Sequence, residues 1–218
     1  MRCLVAALGL LALPAVAFSQ GLSVSLGGGM ALSNYSGWPQ ESAEAVDFDI
    51  EGHRVGMRFG LSLAIPVAQS MDIVIGAVYA QHGDSGNLEY TDESPELSFE
   101  ADMFIKSDYV SVPVLARYTD APVNVFAGPY VGILVDCGIS SSTENISFGL
   151  ECDEESDLGF RTVNFGVVVG AGLTARVNGP VRVFLNGMYT LGLTNLFESE
   201  DSQLRAVTIE MGLSFVLK

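Results

Sequence analysis

The stretch GHRVGMRFGLSLAIP, at positions 52–66, alternates apolar residues with small or charged ones. Successive side chains of a β-strand point to opposite faces, so a period of two places all the apolar side chains on one face. The stretch therefore predicts a strand with one apolar face and one small or charged face. The apolar set is Val55, Met57, Phe59, Leu61, Leu63 and Ile65, and the opposite set includes Arg54 and Arg58.

The same period of two recurs along the rest of the chain. It extends over residues 22–33, 71–83, 108–118, 123–137, 160–176, 181–193 and 207–217. Together with the stretch at 52–66, these segments give eight predicted strands. An even number of strands suits an antiparallel sheet that closes on itself.

The connections between the predicted strands alternate in length. Short links fall at residues 66–70, 119–122 and 178–180, and long links at about 34–51, 84–106, 138–158 and 194–203. If neighbouring strands are antiparallel, all the long links lie at one end of the sheet and all the short links at the other. This asymmetry is typical of outer-membrane barrels, which have short periplasmic turns and longer outward loops.

The period of two does not say which face points into the barrel. A soluble, lipocalin-like barrel would have the same alternation with its apolar face inward. Three features favour an outward apolar face. The other face carries charges of both signs, it is rich in Gly and Ser, and each apolar face is long enough for a lipid-facing band about 25 Å tall. The charged residues predicted to form a polar cluster in the lumen are Arg54, Arg58, Asp108, Arg117, Asp136, Arg182 and Glu210.

These patterns predict an all-β fold, an eight-stranded antiparallel up-and-down transmembrane β-barrel. Pro129 lies inside the predicted strand at 123–137, although a closed barrel has no edge strand where a missing N–H donor would be tolerated. We therefore predict a bulge or a missing ladder hydrogen bond at Pro129. The same prediction applies to Pro113 in the strand at 108–118.

Residues 1–19 have the pattern of a secretory signal peptide. Arg2 precedes an apolar run at 4–13, and small residues follow at Ala15 and Ala17. Residues 20–218 then form the predicted barrel domain. Because the exported chain leaves the cytoplasm, Cys137 and Cys152 are expected to form a disulfide, and two free thiols are the alternative.

The chain is strongly acidic, with 26 acidic and 10 basic residues and a net charge of −16. By our count, 21 of the acidic residues fall in the four long links. Such a field repels nucleic acid and collects cations, so divalent ions that bridge loop carboxylates to phosphates are candidate partners. A solvated acidic surface is the simpler interpretation, and the spacing does not match an EF-hand. The candidate cation-binding loop consists of Asp153, Glu154, Glu155 and Asp157.

Four segments resemble the successive strands of a known family. They are DYVSVPVLARY (108–118), VFAGPYVGILV (125–135), VNFGVVVGAGLTARV (163–177) and GMYTLGLTNL (187–196). They look like the outer-membrane β-barrel domain often called the porin family, which is similar in architecture to OmpX and OmpW type barrels. The resemblance extends over residues 21–218. It implies a monomer in the cell outer membrane, contact with lipid and lipopolysaccharide, and insertion by the barrel-assembly machinery, but it assigns no activity.

The sequence has no P-loop, no dinucleotide fingerprint and no metal-ligand spacing, so we expect no cofactor and no metal site. Side chains can fill an eight-stranded barrel, so a wide channel is not expected. A lipid-modifying enzyme at the rim would need His53 or His82 beside a nucleophile such as Ser85. We expect a structural or surface-interaction role and no enzyme activity; a narrow ion-conducting barrel and the rim enzyme stay as alternatives.

Overall fold

A computed structural model describes residues 21–36, 46–49, 52–90, 99–142, 147–151, 161–195 and 202–217. No helix in these ranges is long and apolar enough to cross a membrane. The described strands are β1 (Ser23–Ser36), β2 (Val46–Asp49), β3 (Arg54–Ala68), β4 (Met71–Tyr90), β5 (Phe99–Asp120), β6 (Val123–Ser142), β7 (Ser147–Glu151), β8 (Val163–Asn178), β9 (Val181–Asn195) and β10 (Gln203–Val216).

Eight long strands close into an antiparallel barrel. The ring runs β1, β3, β4, β5, β6, β8, β9 and β10, and β10 pairs back onto β1 from Ser23↔Val216 to Ser36↔Gln203. Closure gives each of these strands a neighbour on both sides, which is how a β-structure satisfies its backbone inside lipid. The predicted eight-stranded barrel is confirmed. The short strands β2 and β7 pair with the outer parts of β4 and β6.

The apolar faces of the strands point outward. Met57, Phe59 and Leu61 are 55%, 52% and 55% exposed, whereas Arg58 between them is 9% exposed. A soluble barrel would bury the apolar face, so this pattern decides between the two orientations. The exterior is a lipid-facing surface, as predicted from the charged, Gly- and Ser-rich opposite face.

The short links lie together at one end of the barrel, which we call the turn side. They are two-residue turns at residues 69–70, 121–122 and 179–180. At the opposite end, the loop side, the strands continue beyond their predicted bounds. The pairing of β4 with β5 extends to Tyr90↔Phe99, so the link predicted at 84–106 is shorter than expected and Asp84 lies within β4.

Pro113 and Pro129 interrupt the strand ladders without changing their register. A proline has no N–H to donate, so the pair that needs this donor cannot form. The predicted missing ladder bonds are confirmed, and no bulge accompanies either proline. The missing pairs are 114–115 with 128–129 between β5 and β6, and 76–77 with 112–113 between β4 and β5.

Glycines on the inner face make room for aromatic side chains in the narrow lumen. A Cβ placed on Gly170 would lie 2.4 Å from Cζ of Phe126, and one placed on Gly212 would lie 2.5 Å from Cζ of Phe184. Both distances are far below van der Waals contact. The Gly-rich inner face is therefore a packing requirement of an eight-stranded barrel with aromatic residues inside it.

We expect Gly170→Ala to lower the free energy of unfolding by about 1–3 kcal/mol, because the added methyl overpacks the lumen against Phe126. Gly187→Ala is the matched control, since a Cβ at Gly187 meets nothing within 4 Å. Urea unfolding in lipid vesicles, followed by heat-modifiable gel migration, measures both variants. Equal stabilities would contradict the packing argument.

Candidate functional site in the barrel lumen

The centre of the lumen holds a buried ion pair between β3 and β10. Nε of Arg58 lies 2.9 Å from Oε2 of Glu210, and the two side chains are 11% and 15% exposed. Gly29 on β1 is in register with both residues. Because glycine puts no side chain between them, the arginine and the carboxylate meet across β1.

The other basic residues predicted for the lumen lie at different heights from this pair. Arg117 pairs with Asp72 toward the turn side, with Nη2 2.8 Å from Oδ2. Arg182 also lies toward the turn side, in register with Ser214. On the loop side, Nη1 of Arg54 donates a hydrogen bond of 2.9 Å to the carbonyl oxygen of His82. The predicted cluster is therefore spread along the barrel axis and does not form one site.

The prediction that Asp108 faces the lumen is wrong. Asp108 lies two positions before the outward-facing Val110, so both side chains start from the same face of β5. Its side chain is nevertheless 1% exposed, because it is covered by neighbours on the outer surface. The hydroxyl of Tyr79 donates to Oδ2 at 2.5 Å, and Nζ of Lys106 lies 3.8 Å from the same oxygen.

The prediction that Asp136 faces the lumen is also wrong, and a β-bulge is the reason. Asp108 pairs with Asp136 and Tyr109 pairs with Leu134, so β6 has one extra residue at this point. An extra residue reverses the faces of the residues that follow it. Asp136 is consequently exposed and forms an ion pair with Lys106 on the outer surface.

Buried polar side chains fill the lumen on the loop side. We call this group the loop-side plug: Ser33, Tyr35, His82, Asp84 and Ser107, all at most 5% exposed. The backbone N–H of Tyr35 donates to Oδ2 of Asp84 at 2.8 Å, and the Tyr35 hydroxyl is hydrogen-bonded to Ser107. The Ser33 hydroxyl bonds the backbone of β4. These bonds tie β1, β4 and β5 together across the lumen.

A further layer lies between the plug and the central ion pair. The hydroxyl of Tyr130 donates a 2.8 Å hydrogen bond to Oδ1 of Asn164, and both residues are buried. Tyr109 on β5 is 2% exposed at the same level of the lumen. The alternation in β5 and β6 is consistent with Tyr109 and Tyr130 on the inner face, but it does not identify this layer or the plug. The only sequence signal for the layer and the plug is the presence of polar residues on the inner face of adjacent strands.

The turn side of the lumen is open. A cavity of about 290 Å³ extends from Arg58 and Glu210 toward the turns, and Arg117, Arg182 and Asn124 are among its lining residues. None of the plug residues belongs to the described lining. The lumen therefore has two halves, one filled with hydrogen-bonded side chains and one accessible from the turn side.

Of the two histidines considered for an enzyme, His82 does not lie beside Ser85. His82 is 5% exposed and points into the lumen, and in the described part of the chain its Nδ1 has no hydrogen-bond partner. Ser85 follows three positions later on the same strand, so its side chain starts from the opposite face. Residues 82–86 lie within β4 and not in a turn.

The proposed cation and disulfide sites lie partly or wholly beyond the described residues. Asp153, Glu154, Glu155, Asp157 and Cys152 are outside them, as is the predicted signal peptide. Cys137, on β6, is buried. Within the described ranges, no group of three or more His, Cys, Asp or Glu side chains could hold a metal ion.

The closed barrel, the apolar exterior and the charged, partly filled lumen together define an integral β-barrel protein of the outer membrane. A sequence profile of the family described as outer membrane protein beta-barrel domain matches residues 18–198. The chain therefore belongs to this family, and it is located in the cell outer membrane.

Solved structures of other outer-membrane barrels are similar to this chain in fold. The outer membrane protease OmpT of Escherichia coli has a TM-score of 0.50 at 8% identity, with 90% of this chain and 97% of that chain covered. Neisserial surface protein A has a TM-score of 0.46 at 12% identity, with 90% of this chain and 97% of that chain covered. Ail of Yersinia pestis, in complex with the heparin analogue sucrose octasulfate, has a TM-score of 0.45 at 13% identity, with 89% of this chain and 99% of that chain covered. No curated protein matches the sequence. At these identities the likeness concerns the fold alone.

We expect Glu210→Gln to lower the free energy of unfolding by about 3–5 kcal/mol, because it leaves the Arg58 guanidinium buried without a counter-charge. The double variant Arg58→Met/Glu210→Leu removes both charges and is expected to stay close to the wild type. Urea unfolding of the three proteins in vesicles measures the difference.

Asp72→Asn is the comparison variant, because the Arg117 pair is more exposed, at 26% and 22%. Its expected loss is smaller than that of Glu210→Gln. A Glu210→Gln protein as stable as Asp72→Asn would mean that the central pair is already hydrated through the cavity.

Proposed function

We propose that this protein is a non-enzymatic scaffold that presents acidic loops at the cell surface. The observation that carries the proposal is the loop-side plug. Ser33, Ser107 and Asp84 are at most 1% exposed, and Tyr35 is 3% exposed, in the half of the lumen that leads to the long loops. A barrel filled at this end has its accessible outward surface on the loops and strand extensions, not inside.

The distribution of charge supports the same role. The predicted long links contain 21 of the 26 acidic residues by our count. Several of these residues, such as Glu89 and Glu100, belong to the part of the β4–β5 hairpin that extends beyond the apolar band. Divalent cations that bridge loop carboxylates to lipopolysaccharide phosphates are the partners that this charge favours. The candidate cation loop at 153–157 remains part of this proposal.

The register of β6 and β7 supports the disulfide between Cys137 and Cys152. Gly138 is paired with Glu151, so the next antiparallel partner of Cys137 would be residue 152. Closing a loop of about 15 residues restricts the unfolded chain by roughly 3 kcal/mol in the entropy model. The bond would also hold the acidic loop compact. Mass spectrometry of the unreduced mature protein checks this pairing, and an intact pair of thiols would refute it.

We further propose that residues 1–19 direct export and that the barrel-assembly machinery inserts residues 20–218 as a monomer. The outer-membrane location supports both proposals, since a barrel reaches this membrane only after secretion. The N-terminal sequence of the mature protein tests the first of them. Crosslinking in native membranes tests the second, and a crosslinked dimer would contradict it.

Planar-bilayer recordings test the scaffold against the narrow ion-conducting barrel. We expect the wild type to give no discrete conductance steps, because the plug and the Tyr109 and Tyr130 layer fill the loop-side half of the described lumen with buried side chains. The double variant Tyr35→Ala/Tyr109→Ala removes two large lumen side chains and is expected to give small steps. Tyr189→Ala is the control, since Tyr189 is an exposed residue on the lipid face.

Discrete steps from the wild type would overturn the scaffold proposal and favour ion conduction. If the double variant fails to fold, as judged by heat-modifiable migration, the single variant Tyr109→Ala replaces it. The wild-type recording decides between the two functions in either case.

A further inference from the structure

The turn-side cavity has an ordered lining. Its mouth carries Arg182, together with Arg117 and Asp72; the central ion pair forms its inner end. Between these two charged layers lies an apolar belt. The belt consists of Val74, Leu115, Phe126 and Phe184. A cavity with charge at the mouth and an apolar wall behind it suits an amphipathic ligand whose polar head stays at the opening.

The described charges around the cavity leave one arginine without a counter-ion. Three arginines and two carboxylates line it; Glu210 pairs with Arg58 and Asp72 pairs with Arg117. Among the described residues, no carboxylate lies within ion-pair distance of Arg182. The mouth of the cavity is therefore basic although the chain as a whole carries a net charge of −16.

The position of Arg182 in the sheet also favours the binding of an anion. Arg182 on β9 is in direct register with Arg176 on β8, at the same end of the barrel. Like charges directly opposite each other on neighbouring strands are destabilising. Arg176 likewise has no acidic partner in the described ranges. A bound anion at the mouth would relieve the repulsion between the two guanidinium groups.

The interior of the cavity combines this apolar belt with small polar side chains, among them Ser25, Asn124 and Asn186. The belt presents aliphatic and aromatic surface, and Pro113, which has no N–H, lines the wall above it. The volume of about 290 Å³ corresponds to about ten water-sized groups at roughly 30 Å³ each. This is the size of a short acyl chain with its carboxylate.

We infer that the turn-side cavity binds a small acyl carboxylate, with the carboxylate on Arg182 and the chain against the apolar belt. This site is separate from the acidic loops and does not depend on the scaffold role. The carboxylate can reach the mouth from the periplasmic solution or from the membrane. The chemistry that recognises it is the same in both cases, because a bidentate guanidinium matches a carboxylate.

Nuclear magnetic resonance of the full barrel in lipid nanodiscs, with labelled arginine side chains, tests the inference. Octanoate is added from solution in one arm, and decanoate is incorporated into the nanodisc bilayer in the other. We expect octanoate to shift the Arg182 side-chain signal saturably and to leave that of Arg205, an exposed residue near the loop side, unchanged. Octanol, which has no carboxylate, should not produce the Arg182 shift.

Two variants test the contact of the carboxylate and the contact of the acyl chain separately. Arg182→Gln should weaken octanoate binding by roughly tenfold or more, as expected for loss of a charge-assisted hydrogen bond. Arg205→Gln is the matched control and should leave binding unchanged. Leu115→Trp fills part of the belt and should weaken binding while Arg182 is still present; if it does not fold, the Arg182 variant alone decides.

A shift caused only by decanoate would support the same site supplied from the membrane. A shift caused by octanoate would support supply from solution. No shift of Arg182 with either acid would overturn the inference, and so would equal binding by the wild type and Arg182→Gln.

Discussion

The structure depends on the need to satisfy every backbone N–H and C=O group inside lipid, where no water can do so. Closure of β10 onto β1 meets this need, because it removes the two edges that an open sheet would expose. The two prolines fit the same constraint. Each removes an N–H donor and so leaves no unsatisfied donor of its own; the cost is confined to the partner carbonyl and two missing pairs in each ladder.

Closure with only eight strands produces a narrow lumen, and the two halves of the lumen respond to this in different ways. On the loop side, small and polar side chains interlock through hydrogen bonds, as Tyr35 does with Asp84 and Ser107. On the turn side, glycines and aromatic residues leave a cavity with a charged mouth. The central pair of Arg58 and Glu210 separates the two halves. A surface role on one side and a ligand site on the other are therefore compatible within one barrel.

Much of the fold could be predicted from the sequence because a lipid-facing strand has a simple code. The strand at 52–66 follows from the period of two, the short turns follow from the lengths of the links, and the outward apolar face follows from the small and charged residues opposite it; all three are found. Asp136 could not be placed in this way, because a one-residue bulge reverses the faces and leaves no mark in the pattern. Asp108 was wrongly assigned to the lumen because it is charged, although the alternation of β5 puts its side chain on the outer face. The height of each lumen residue along the barrel axis could not be predicted either, because it depends on strand register across the barrel. The separation of Arg58 from Arg182 is an example.

We expect the lumen to be closed on the loop side and hydrated on the turn side. Water-edited solid-state nuclear magnetic resonance of the unmodified protein in lipid vesicles measures this directly, since polarisation passes rapidly from water only to side chains near it. Transfer should be rapid to Ser25, Asn124 and Arg182 and slow to Ser33 and Ser107. Equally rapid transfer to both groups would show a continuous water path and contradict the account.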